Sequence, residues 1–284
     1  MPMEKPSQTA LKVALNILSL GSTPGMDTVL PSGIVDTTAT LLVTSGAVSP
    51  TVVRLARSRS MAYVSRAFDW MMPGQFVAFG QRKAFCERQV REAIQAGVTQ
   101  VLVLGAGYDT MGWRLSAELT TVNFFEIDHP ATARVKAKGI HAMGYRENLH
   151  LLAEDLSQRE LVDVLTATTS WDQTATTLFI AEGLLMYLPH EAVCDLFRQC
   201  TAMSGDESRF AFSYIGTAPD GKPDAGPWKG VILWLLKMKS EPWLWSIQPA
   251  HLDAFLKNVG WKNAPELIGS REKYGVEFFG VATT

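Results

Sequence analysis

Val101-Leu102-Val103-Leu104-Gly105-Ala106-Gly107-Tyr108-Asp109-Thr110 (VLVLGAGYDT) is the stretch on which the fold turns. An apolar run containing β-branched residues reads as a buried strand, and it leads straight into a glycine-rich turn followed by a helix. Without a Cβ, Gly105 and Gly107 let the chain turn tightly and let a ligand come close to the backbone. The order strand, glycine turn, helix suits a nucleotide-like ligand. Plain strand-to-helix turns share the Gly-x-Gly, so the flanking sequence has to decide.

A dinucleotide fingerprint requires a third glycine three residues after the second, and Thr110 stands there instead, which disfavours pyrophosphate binding. Some twenty residues on, a second apolar run ends in Phe124-Phe125-Glu126-Ile127-Asp128. A carboxylate at such a strand tip accepts hydrogen bonds from both hydroxyls of a ribose. Asp128 is the first choice for that role and Glu126 the second.

Working outward, strand-like runs occur at 101–104, 122–127, 149–153, 178–181 and 209–214, with helical segments between them. Alternation of this kind predicts βαβ units and a mainly parallel, doubly wound α/β sheet covered on both faces. The segment 277–282 alternates as a final strand, antiparallel at or near a sheet edge. Residues 1–98 read as helical, with apolar spacing in 10–20, 37–44 and 77–96. After Tyr214 a Gly/Pro-rich stretch and the segment from Trp228 to Trp245 form an insertion, at about 216–248. The expected arrangement is one integrated domain, with 1–98 as a helical lid and 99–284 as the core.

The chain has 26 basic and 28 acidic side chains among 284 residues, a net charge of −2, which favours neither nucleic acid nor an anionic membrane as partner. Cys86, Cys194 and Cys200 make no complete disulfide framework and no metal-ligand spacing, so the expectations are a reduced, cytoplasmic setting and no metal. The apolar stretch 13–20 is interrupted by Asn16 and Ser19 and reads as an amphipathic helix, and 231–238 is far short of the roughly 20 residues that span a bilayer.

Four ordered motifs, LGAGYDTMGWRL, FFEIDHP, AEDL and EGLLMYL, resemble the leucine carboxyl methyltransferase family and its bacterial relatives acting on small molecules, over a match from about Thr9 to the last strand. The resemblance implies a class I methyltransferase fold with a seven-stranded Rossmann-like sheet. It also implies S-adenosyl-L-methionine as cofactor, lying across the carboxyl ends of the strands. Gly105 would then lie beside the methionine part, with Ala106 and Gly107 shaping the turn, and Asp128 on the ribose. Asp155 and Leu156 would hold the adenine, and Glu182 would face the sulfonium and amino group. Tyr187 fits the family's EG-x-x-x-YL pattern and would pack near the methyl group, as the one candidate catalytic side chain. Arg82, in FGQRKAF, resembles the arginine that meets the cofactor carboxylate, with Lys83 where the family usually has threonine; Lys12 is a second candidate for the same carboxylate. Met111 replaces an arginine common after Asp-Thr, and Asp109 is expected to brace the turn.

The implied reaction is O-methylation of a small acceptor by alignment and exclusion of water. A carboxylate acceptor is already ionised at neutral pH, whereas a phenol needs a base, for which His129 and His190 are the histidines near strand ends. Trp228, Trp234, Trp243 and Trp245 suggest aromatic walls for a planar or lipophilic acceptor. Two other readings compete: a nicotinamide-dependent oxidoreductase, opposed by the missing third glycine, and a non-catalytic regulator that binds S-adenosylmethionine. The oligomeric state is not legible.

Overall fold

The computed structural model describes residues 5–26, 28–67, 70, 72–239, 241–268 and 273–284. Among the described residues, the helices α1 (Gln8–Gly21), α2 (Ile34–Thr44), α3 (Pro50–Ala56), α4 (Arg59–Ala67) and α5 (Gln75–Gln95) precede the sheet. α1 starts at Ser7, whose hydroxyl accepts from the Ala10 N–H and so satisfies one of the unpaired donors of the first turn. α5 buries Gln75, Ala78, Arg82, Cys86 and Gln89, a spacing of three and four that turns one stripe inward although several of these side chains are polar.

The chain then alternates through β1 (Gln100–Leu104), α6 (Met111–Glu118), β2 (Asn123–Asp128), α7 (Pro130–Met143), β3 (Leu149–Ala153), α8 (Leu161–Thr166), β4 (Thr177–Ala181), α9 (His190–Ala202) and β5 (Arg209–Ile215). It ends with α10 (Lys229–Met238), α11 (Pro249–Asn258), β6 (Lys262–Asn263), β7 (Lys273–Tyr274) and β8 (Glu277–Thr283). Among the described residues the sheet runs β3-β2-β1-β4-β5-β8-β6, with β7 pairing β8 beside that path. β1 to β5 pair in parallel, while β8 runs antiparallel to β5. The path has the seven strands expected. β7 adds an eighth, and β8 lies one strand in from the edge because β6 pairs outside it.

Successive residues of β1 show how the sheet is covered. Val101 and Val103 join a core with Phe85, Leu115 and Ile140, whereas Leu102 and Leu104 join one with Leu161, Val193 and Phe197. A strand whose alternate side chains meet helices on both sides loses the polar-apolar alternation of a half-exposed strand, which is why β1 reads as a continuous apolar run. From β1 the chain moves outward through β2 and β3, then returns to β4 on the other side of β1. This reversal of direction opens a crevice at the carboxyl ends of β1 and β4, the place where open α/β sheets bind ligands.

Candidate active site

The glycine turn closes the end of β1. Gly105 sits at φ +64°, a region costly for a residue with a Cβ, and an added Cβ would lie 3.0 Å from the Leu184 side chain. The N–H groups of Gly105 and Ala106 both donate to the Ile127 carbonyl, at 2.9 and 3.2 Å, stitching the turn to β2. Gly107 N–H donates to Asp128 Oδ2 at 2.6 Å, so the strand-tip carboxylate holds the turn with that oxygen. Burial pushes the Asp128 carboxyl up and the Gly107 bond opposes it. Glu126 goes elsewhere: it is buried and paired with Lys136 at 2.5 Å. Of the two carboxylates on β2 only Asp128 borders the crevice.

A charge cluster underlies the β4 end. Arg82 Nε donates to Glu182 Oε1 at 2.6 Å, and its Nη1 donates to Glu277 Oε1 at 2.5 Å. Lys83 Nζ reaches Asp109 Oδ2 at 2.6 Å and Glu182 Oε2 at 3.0 Å. These side chains are nearly inaccessible, and burial alone would disfavour their charges. For Arg82 the neighbouring Glu277 and Glu182 outweigh it, for Lys83 Asp109 and Glu182 do, and both cations are held charged. For Asp109, burial is outweighed by Lys83 together with Lys136 and the Met111 N–H, which keep the carboxyl well below its usual range. Its other oxygen accepts from Met111 N–H at 2.8 Å, so Asp109 braces the start of α6 as well as tying down Lys83. Gly183 has φ +62°, and a Cβ there would meet the Arg82 guanidinium at 3.0 Å; the glycine makes room for the arginine.

The β3 end is more open. Ser157 N–H donates to Asp155 Oδ1 at 2.9 Å, and His129 Nε2 stands 3.9 Å from Asp155 Oδ2. Hydrogen bonding by Ser157, and His129 beyond it, hold the Asp155 carboxyl below its ordinary value against the effect of burial. Tyr187 closes a short 3₁₀ turn, Leu185–Tyr187, and burial pushes its phenol up.

Together these groups border one cavity of about 860 Å³. Arg82, Gly105, Ala106, Gly107 and Asp128 line it, as do Asp155, Leu156, Glu182 and Tyr187, so the first choice for each expected role borders the same space. Ala10, Val13 and Ile17 of α1 complete the wall. Lys12 does not line it: it is on the exposed side of α1, with Lys239 and Glu241 as its charged neighbours. None of the four insertion tryptophans lines it either. Trp245 is buried against Phe255, Trp228 and Trp234 are largely exposed, and Trp243 packs beside Tyr187; among the described residues of that segment, Glu241 and Pro242 meet the cavity. Of the two histidines, His190 is exposed, outside the lining, and accepts from Trp245 Nε1 at 3.2 Å. His129 lines the cavity, but its Nδ1 accepts from Ala131 N–H at the start of α7.

Two members of the cluster were not legible beforehand. Lys83 read only as a departure from a motif, and Glu277 as one residue of the last strand. A carboxylate opening an otherwise apolar strand was the available sign for Glu277. Among the described residues no group of histidine, cysteine or acidic side chains has the makings of a metal site. All three cysteines are free and buried, and no described helix is long and apolar enough to cross a membrane.

The leucine carboxyl methyltransferase family model matches residues 28–201. A Mycobacterium bovis protein named "Putative S-adenosyl-L-methionine-dependent methyltransferase" is 29% identical over 184 residues, 58% of each chain. A second M. bovis protein of that name is 36% identical over 132 residues, 46% of this chain and 42% of its own. The chain thus spans about half the length of the curated relatives it matches. Among solved structures, a Thermobifida fusca protein named "putative methyltransferase" superposes with a TM-score of 0.59 at 14% identity, covering 92% of this chain and 97% of that one. A DUF574 family protein from Streptomyces avermitilis gives 0.58 at 14%, covering 88% and 97%. At such identities these two speak for the shared α/β fold alone.

Proposed function

Because the chain belongs to the leucine carboxyl methyltransferase family, we propose that it transfers a methyl group from S-adenosyl-L-methionine to an oxygen of a small, lipophilic acceptor. The observation that carries this reading is the convergence of the Gly105–Gly107 turn, Asp128, Asp155 and Leu156, and the Arg82–Glu182 pair on one cavity of about 860 Å³. That volume lies within the range of ligand pockets, roughly 300 to 1,000 Å³.

The donor set fits the cofactor. Asp128 keeps one oxygen outside its bond to Gly107 for the ribose hydroxyls. Asp155 would accept from the adenine amine while Leu156 packs on the ring. Glu182 would face the ammonium and the sulfonium, and Arg82 the carboxylate, with Gly105 letting the methionine part approach the backbone. When bound, the cofactor supplies an electrophilic methyl on a positively charged sulfur.

The residues of the chain align, desolvate and balance charge. These residues would hold the cofactor with its methyl in line with the acceptor oxygen. Alignment alone is worth several powers of ten in such a reaction. We favour a carboxylate acceptor, because it needs no base. The engagement of His129 with the α7 backbone and of His190 with Trp245 supports this, since neither ring is offered as a free base. Tyr187, a phenol protonated at neutral pH that burial shifts further up, would donate a hydrogen bond to the acceptor. The helices of residues 1–98 act as a lid in this reading, supported by Ala10, Val13 and Ile17 on the cavity wall. Those apolar side chains also favour a lipophilic acceptor.

Calorimetric titration with S-adenosylmethionine, S-adenosylhomocysteine and NADH tests the proposal. Micromolar binding of the two sulfur ligands and none of NADH is expected; binding of NADH alone would sink it. A panel of acids and phenols, scanned by mass spectrometry for a gain of one methylene, then separates an enzyme from a cofactor-binding regulator.

A further inference from the structure

The innermost carboxylate of the charge cluster comes from the far end of the chain. Glu277 opens β8 opposite Ile215 of β5 and is 4% exposed. Its Oε1 accepts from Arg82 Nη1 at 2.5 Å and from Gln75 Nε2 at 3.2 Å. Its Oε2 is buried without a hydrogen-bond partner among the described residues. A half-satisfied buried carboxylate costs folding free energy. A neutral amide in its place would still offer an oxygen to orient Arg82, so orientation alone does not account for a carboxylate.

The balance of charge does. Arg82 and Lys83 are two positive charges; Asp109, Glu182 and Glu277 are three negative ones, and all five are interlocked by ion pairs of 2.5 to 3.0 Å. Without Glu277 the remaining four cancel. With it the cluster carries one uncompensated negative charge, in surroundings where water screens it poorly.

We propose that Glu277 is a specificity-determining residue: its charge leaves the buried cluster at the β4 end one unit negative, so that the site holds a sulfonium more tightly than the corresponding neutral thioether. The inference rests on the reading of S-adenosylmethionine as cofactor. Substrate and product share the adenosine and the amino-acid end, and differ by a methyl group and the charge on sulfur. Contacts to the shared parts cancel in the ratio of the two affinities, and the local field at sulfur remains. Once the methyl has left, the attraction is gone and the product is released more readily. Glu277 does not line the cavity, so it acts through the field and through Arg82 without touching the ligand.

The test is the ratio of dissociation constants, S-adenosylhomocysteine over S-adenosylmethionine, by calorimetry on the full chain, with melting curves to confirm folding. Glu277→Gln keeps shape and removes the charge, and should lower the ratio about fivefold. Lys83→Met moves the cluster the other way and should raise it by a similar factor, which keeps the idea testable if the first variant folds poorly. A ratio unchanged within twofold in both variants, with the two affinities moving together, overturns the proposal and leaves Glu277 a structural anchor. Wild-type protein that binds neither ligand overturns the cofactor reading as well, an outcome distinct from the first.

Discussion

At the β4 end of the cavity, Arg82, Lys83, Asp109, Glu182 and Glu277 are buried and joined by four ion pairs, each charge held by at least one neighbour. At the β3 end, Asp155 is a third exposed and is held by the Ser157 N–H, with His129 at 3.9 Å. A group locked by several partners presents one geometry and one charge, whereas a group in a loop with a single local bond can adjust. In the proposed function the β4 end would read charge at the amino-acid part of the cofactor, and the β3 end would accommodate the flat adenine ring by shape. The first is paid for in folding stability, the second is not.

Breaking the locked end should have the largest effect. Arg82→Leu leaves Glu182 and Glu277 facing each other without their shared cation, and is expected to cost about 3 to 5 kcal/mol of stability, read by urea unfolding, besides eliminating cofactor binding. A loss below about 1 kcal/mol would mean that the cluster is looser than its distances imply.

Asp109→Asn should cost about 2 kcal/mol at pH 7, since one charged hydrogen bond is lost and the bond to Met111 is kept. The pH dependence has a definite sign. A carboxyl depressed in the folded state contributes stability above its unfolded pKa of about 3.9, and that contribution drains away as pH falls toward the folded value. Wild-type stability should accordingly decline more steeply than that of the variant below about pH 4. Parallel acid profiles would locate the acid sensitivity in other carboxyls.

Asp128→Ala should weaken cofactor binding by roughly 1 to 3 kcal/mol through unpaired ribose hydroxyls and a loosened Gly107 turn. Wild-type affinity in this variant would move the ribose contact elsewhere. The smallest change is expected at the open end. Asp155→Ala should cost about 1 kcal/mol of binding and leave the melting temperature within a degree or so. A large loss of stability there would erase the contrast between the two ends.

Much of this architecture was legible before any coordinates. Each of the six main strands lies within one or two residues of its expected place, because a strand covered on both faces needs an unbroken apolar run. α3 and α4 did not separate from their neighbours, and β6 and β7 have two residues each, too few to carry a period. Glu126 and Asp128 show the limit within one strand. Their positions in the chain make both plausible ribose partners, and the presence of Lys136 against Glu126 decides between them. The tryptophans show it for a segment: four residues of one kind, expected as pocket walls, divide among core, surface and the flank of Tyr187, because burial depends on what packs opposite them.

By itself the sequence determined the doubly wound sheet, the glycine turn and the acidic and apolar residues at the strand tips. Those follow from local rules, since hydrophobic period, glycine conformation and strand ends act over a few residues. Only the tertiary structure decided which charges meet. Arg82 and Glu277 stand 195 positions apart and come to 2.5 Å because β8 runs antiparallel beside β5 while α5 packs across the strands. No periodicity records that pairing; it exists once the whole sheet has closed, and with it the net charge of the buried cluster at the β4 end.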